Sequence, residues 1–155
     1  MEGAKAGREG PSGGSSEPRE SVLGAGMEER LDALVRRGVR IVDRRQTYIG
    51  PEVDLQRICA GAILHPGARI CGARSFLGPE AEVGTEGPAT IVDGIFGERA
   101  RIASGYVRGA VLLRDASLGG NAHVRDGTIL EEEASTAHVV GLKQTILLAF
   151  VTLGS

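Results

Sequence analysis

Leu112-Leu-Arg-Asp-Ala-Ser, Leu118-Gly-Gly-Asn-Ala-His, Val124-Arg-Asp-Gly-Thr-Ile and Leu130-Glu-Glu-Glu-Ala-Ser follow one another without interruption. Each hexad opens on a branched aliphatic residue and carries a small one at its fifth position: Ala116, Ala122, Thr128 and Ala134. The register predicts a continuation through Thr136, Leu142 and Leu148, with Val140, Ile146 and Thr152 at the fifth position. A hexad period matches neither the α-helix, at about 3.6 residues, nor the alternation of a hairpin sheet, at about 2. It matches a parallel β-helix, in which short strands turn at small-residue corners and successive coils stack. Three hexads then close one triangular coil, and residues three hexads apart lie directly over one another. The expected interior columns are Leu112, Leu130, Leu148 and Ala116, Ala134, Thr152.

Working back from this stretch, Ile49-Gly-Pro-Glu-Val-Asp, Leu55-Gln-Arg-Ile-Cys-Ala, Leu64-His-Pro-Gly-Ala-Arg, Ile70-Cys-Gly-Ala-Arg-Ser, Leu77-Gly-Pro-Glu-Ala-Glu and Val83-Gly-Thr-Glu-Gly-Pro read as further hexads. The register slips by one residue between Ile70 and Leu77. It breaks between Val83 and Phe96, where Glu86-Gly-Pro-Ala-Thr predicts a protruding loop, and slips again between Ile102 and Leu112. The reading is an all-β chain over 39–155, irregular at first and regular after Leu112. Ahead of it, 27–38 (MEERLDALVRRG) places Leu31, Leu34 and Val35 at helical spacing. Acids at its start, Arg36 and Arg37 near its end and Gly38 just after predict a short helix. Residues 1–26 are rich in Gly, Ser, Pro and charge and predict a disordered tail, so Met27 is a candidate translation start. The hexads are still running at Ser155, as in the N-terminal part of a longer β-helix.

Composition agrees. Of 155 residues only 3% are aromatic, Trp is absent and 24 are Gly, which suits a narrow interior filled by Val, Ile, Leu, Ala and Thr. A net charge of −2 leaves no electrostatic footprint for nucleic acid or an anionic membrane. Cys59 and Cys71 make neither a disulfide framework nor a C-x-x-C pair, which leaves two small packed residues in a reducing, cytoplasmic setting. No apolar signal region or membrane-spanning run is present. His65, His123 and His138 lack metal-ligand spacing and predict surface or corner positions. Glu131, Glu132 and Glu133 predict a solvated edge.

Arg125 and Lys143 occupy the second positions of hexads one full coil apart, so they stack about 4.8 Å from each other along the backbone. Stacked cations repel unless an anion or solvent separates them. A phosphate is the natural bridge, with Arg offering a planar fork and Lys a point charge. The competing reading is two independent solvated charges, paired with the Glu131–Glu133 run.

The aliphatic-first, small-fifth hexads resemble the left-handed β-helix class, the sugar and acyl transferases of the hexapeptide-repeat superfamily. Asn121-Ala-His-Val-Arg-Asp-Gly-Thr through Gly141-Leu-Lys-Gln-Thr-Ile-Leu resembles more closely the acetyltransferase half of the bifunctional UDP-N-acetylglucosamine pyrophosphorylase/glucosamine-1-phosphate N-acetyltransferases. The run GLKQTILLAFVTLGS also resembles bacterial β-helix proteins related to UDP-N-acetylglucosamine pyrophosphorylase. The resemblance implies that Arg125 and Lys143 bind a phosphorylated sugar or nucleotide sugar, that the protein is a homotrimer with sites between neighbouring β-helices, and that acetyl-CoA or another acyl donor serves the longer protein. It implies no cofactor in this stretch. The family's catalytic histidine, beyond its lysine, would fall at Ser155, where this chain has no histidine. No glycine-rich phosphate loop joins a strand to a helix, so the family's nucleotidyltransferase domain has no counterpart here. Two functional classes stand: a transferase acting on an amino sugar or nucleotide sugar, and a non-catalytic β-helix that trimerises or binds a sugar phosphate.

Overall fold

The computed structural model describes residues 18–154, side chains from Gly26 onward. From Arg40 the chain winds through three parallel sheets in rotation, the β-helix that the hexads predict. Seven strands, from Arg40–Ile41 to Thr152–Leu153, form one sheet. Six, from Tyr48–Ile49 to Gly141–Leu142, form the second, and five, from Phe76–Leu77 to Ile146–Leu147, the third. Most strands are only two residues long, because successive side chains alternate faces and a narrow prism accepts one inward side chain per wall.

Those inward residues form three columns. Leu64, Val83, Ile102, Leu118 and Thr136 stack inside the seven-stranded sheet. Ile49, Ile70, Ile91, Val107, Val124 and Leu142 stack inside the six-stranded sheet. Leu77, Phe96, Leu112, Leu130 and Leu147 complete the third wall. The fifth-position residues pack at the corners between walls, and Ala62, Ala81, Ala100, Ala116 and Ala134 are fully buried in one such line. The residue before each small one turns the corner in the left-handed region: Asp115 (φ 60), Asn121 (φ 53), Glu133 (φ 59) and Val139 (φ 56). That conformation disfavours residues with a Cβ. It is held by amide bonds to the preceding coil, from Asp115 N–H to the Glu98 carbonyl, Glu133 to Arg114 and Val139 to Gly120.

The regular register fails at one corner. Lys143-Gln144-Thr145 turns with one residue fewer than the corner one coil before it, Arg125-Asp126-Gly127-Thr128, and with as many as Arg108-Gly109-Ala110, Gln144 taking φ 48 as Gly109 takes φ 58. Because side chains alternate, a one-residue change exchanges inside for outside. Leu147 therefore takes the interior place under Leu130. Leu148 is 61% exposed and Ile146 60%, and Thr152 lies outward beside Ser135, its hydroxyl 2.9 Å from that of Ser135. The expected columns ending in Leu148 and Thr152 are corrected accordingly.

Two further differences lie in the first half. Leu55 opens a 3-10 turn, Leu55–Arg57, and Ile58 rather than Leu55 bridges to Leu77. The predicted loop is real but ends sooner: the strand Ala89–Val92 resumes at once and puts Ile91 into its column. The hexad reading passed over Ile91 because the inserted residues just before it destroy the spacing.

The helix runs Pro18–Arg36. Leu31 and Leu34, both fully buried, plug the N-terminal end of the prism. Arg30 donates to the carbonyls of Gly50 and Val53, and Arg37 to that of Leu55, satisfying backbone groups that an open coil would leave exposed. The helix starts ahead of the expected 27–38, at a proline whose fixed φ and missing N–H suit a first helical turn. Of the expected tail over 1–26, residues 1–17 lie outside the described residues.

Candidate functional site

The corner that follows the six-stranded sheet collects positive charge. Val107, Val124 and Leu142 are in register on three successive coils, so the residues after them, Arg108, Arg125 and Lys143, stack in one line along the edge. The Arg125 amide donates to the Leu142 carbonyl at 2.9 Å, which fixes Arg125 beside Lys143. All three side chains are exposed. Among the described residues no carboxylate forms an ion pair with Arg125 or Lys143. The acidic run neutralises neither: Glu131 accepts from the Ala149 amide at 3.0 Å, and among the described residues Glu132 and Glu133 form no ion pair.

Arg108 escaped the sequence reading. It faces Asp126 at 3.9 Å, with 60% and 69% of the two side chains exposed, and a pair so open contributes little. The slip between Ile102 and Leu112 hid its position. Aligning Val107 with Val124 would have revealed it.

Two positions before each cation, on the same outward face, lies a second line: Tyr106, His123 and Gly141. The rings of Tyr106 and His123 stack with centroids 5.5 Å apart and planes 27° from parallel. His123 is exposed, and its line and the cation line Arg108, Arg125, Lys143 together make one ledge. The other histidines lie outside it. His65 pairs with Glu82 at 3.0 Å on the seven-stranded sheet, and His138 accepts from the Gly120 amide at 3.2 Å through Nδ1.

Cys59 and Cys71 are unbridged and half-buried, and burial pushes the Cys71 thiol above its ordinary value. No group of three metal-ligating side chains forms among the described residues. On a different corner Arg99 grips Asp115 with two bonds, of 2.7 and 3.0 Å. The Arg99 hydrogen bond holds the Asp115 carboxyl below the usual carboxylate range.

No protein-family profile matches the chain. Individual named proteins do. "Bifunctional protein GlmU" of Nocardia farcinica is 33% identical over 113 residues, 73% of this chain and 22% of that protein. The Micrococcus luteus protein of the same name is 35% identical over 114 residues, 73% of this chain and 22% of its own length. That of Thermotoga petrophila is 31% identical over 119 residues, 76% and 25% respectively. The chain is a relative of the GlmU proteins. It spans about a quarter of their length, and the shared portion, with its three-walled coil, accords with the hexapeptide-repeat class that the sequence resembles.

Proposed function

We propose that this chain is the substrate-holding part of a hexapeptide-repeat transferase acting on a phosphorylated amino sugar or nucleotide sugar, with Arg125 and Lys143 on the phosphate. The observation that carries this reading is the pair itself: two cations held on adjacent coils by a strand register, neither ion-paired to a carboxylate among the described residues. Bringing like charges together costs free energy unless an anion is shared, and an Arg fork beside a Lys point charge suits a phosphate. Kinship with GlmU supports an acyl-transfer role, with acetyl-CoA or another acyl donor reaching the sugar from outside this stretch.

The same reading places the assembly. The outward residues of the five-stranded sheet, Phe76, Ile95, Val111, Ile129 and Ile146, form an unbroken apolar line. The corresponding line of the seven-stranded sheet is Ile63, Glu82, Arg101, Ser117 and Ser135. We assign the apolar wall to contacts between copies in a homotrimer. It shares its leading corner with the cation ledge, so a neighbour docked there would border the phosphate. Among the described residues no helix is long and apolar enough to cross a membrane, which is compatible with a cytoplasmic enzyme.

Calorimetric titration with glucosamine 1-phosphate and UDP-N-acetylglucosamine tests the site. Heat that disappears in Arg125→Ala supports it. No heat at millimolar ligand would leave a non-catalytic β-helix scaffold as the reading.

A further inference from the structure

The loop at Gly84–Pro88 overhangs a second cleft, at the edge of the six-stranded sheet opposite the cation ledge. Ser104 precedes the strand Gly105–Arg108, so about 13 Å of extended chain separates it from the cation line. The amides of Glu86 and Gly87 both donate to the Ala103 carbonyl, at 2.9 and 3.2 Å, which holds the loop over the coils that follow. The cleft beneath has a volume of about 500 Å³, the size of a small-ligand site.

Three polar side chains converge in it over Gly120. A Cβ built there would lie 3.2 Å from His138 Nδ1, 3.4 Å from Glu86 Oε2 and 3.5 Å from Ser104 Oγ. Gly120 does not take the left-handed conformation, and the nearest atoms are all side-chain ends. At Gly119, by contrast, a Cβ would strike the Ala137 carbonyl oxygen at 2.4 Å. Glycine at 120 is thus called for by the space between the three side chains and not by the backbone.

What already binds these groups fixes what each can offer a ligand. His138 Nδ1 accepts the Gly120 N–H at 3.2 Å, so the neutral ring carries its proton on Nε2 and presents a donor. Ser104, 8% exposed, accepts the Asn121 N–H at 2.8 Å and keeps its own hydrogen to give. Glu86 is exposed and forms no ion pair among the described residues, so it brings acceptors alone. A phosphate would meet that carboxylate and be repelled. A metal ion needs the imidazole lone pair that Gly120 engages, and an ammonium group has nothing to accept from the two donors. Hydroxyl groups donate and accept at once, and neighbouring hydroxyls on one ring can satisfy the carboxylate and both donors together. We infer that the cleft binds an uncharged saccharide unit through its hydroxyls, with Glu86 accepting and Ser104 and His138 donating. The site is separate from the phosphate-binding role of Arg125 and Lys143 and does not depend on it.

The test follows the amide NMR signals of the full chain during titration with glucose, galactose, mannose and N-acetylglucosamine, and separately with methylammonium, zinc and inorganic phosphate. The Gly120 and Asn121 amides, bonded to His138 and Ser104, report directly on the cleft. At least one neutral sugar should move both signals, with millimolar affinity, while phosphate moves those of the ledge instead. Glu86→Gln should weaken that sugar roughly tenfold, the loss of a charged hydrogen-bond acceptor, and leave the urea melt unchanged because the position is exposed. Gly120→Ala, which puts a methyl group among the three side chains, should weaken it as well. Arg125→Ala should leave the neutral sugar within about twofold, so failure of the cleft and failure of the ledge can be told apart. If no neutral sugar moves these amides, if only methylammonium or zinc does, or if Glu86→Gln binds the sugar as the parent does, the inference is wrong.

Discussion

Leu130 lies over Leu147, and the coil that joins them is one residue shorter than three hexads. The short corner at Gln144 leaves Leu147 8% exposed and Leu148 61%, so two adjacent leucines have opposite roles in stability.

Leu130→Asp buries an unpaired carboxylate in the middle of a column and is expected to abolish cooperative unfolding. Leu147→Ala should cost about 2 kcal/mol or more, whereas Leu148→Ala should stay within about 0.5 kcal/mol. Urea melts monitored by circular dichroism measure all three. Equal losses at 147 and 148 would show that the corner has been given the wrong length.

On the ledge, Arg125→Ala should weaken sugar-phosphate binding more than Lys143→Gln, because it removes a bidentate donor rather than a point charge. A difference of about threefold to tenfold is expected by calorimetry. Raising the salt should weaken binding in the parent and less in either variant, since exposed charges are screened.

The Arg99–Asp115 pair gives a prediction in acid. Asp115 has a folded pKa below its unfolded value, the cause being the Arg99 hydrogen bond. Its contribution is present above the unfolded carboxylate pKa, about 3.9, and is lost as pH falls through the lower folded value. Carbon-detected NMR titration should place the Asp115 midpoint below that of an ordinary aspartate. Arg99→Gln should return it to the ordinary range, and an unchanged midpoint would remove Arg99 as the cause.

Light scattering should find a trimer in solution, and Ile129→Glu, in the middle of the apolar wall, should yield monomers. The substitution lies on an outward position, so the melt of the isolated chain should change little. A parent that is monomeric at micromolar concentration would refute the assignment of that wall.

Much of this architecture was legible in the hexads between Leu112 and Ser135, where each aliphatic opener is buried. The sequence spoke less clearly wherever a corner changes length, because periodicity records distance along the chain and a corner can shorten without disturbing the wall. Ile91 was hidden behind an inserted loop and Leu147 behind a missing residue. The two cations on successive coils were readable, since a regular coil separates Arg125 from Lys143. Arg108 and the partnership of Tyr106 with His123 were not, because they depend on the coil from Val107 to Val124, which crosses the irregular region. Charge pairing is a matter of side-chain reach, so only the structure could show Glu131 turned to the Ala149 amide.

The loop at Gly84–Pro88 has a consequence at the level of the gene. Extra residues leave the prism at a corner while Val83 and Ile91 keep their columns. Codons gained or lost in frame at such a place change only what projects into solvent. The same event inside Val107 to Arg108, or Val124 to Arg125, would turn a cation toward the interior and an aliphatic side chain toward water. Length variation in the coding sequence is therefore permitted at the corners and barred from the walls, and the ledge keeps its order although 17 residues lead from Arg108 to Arg125 and 18 from Arg125 to Lys143, because each cation follows directly on its wall residue.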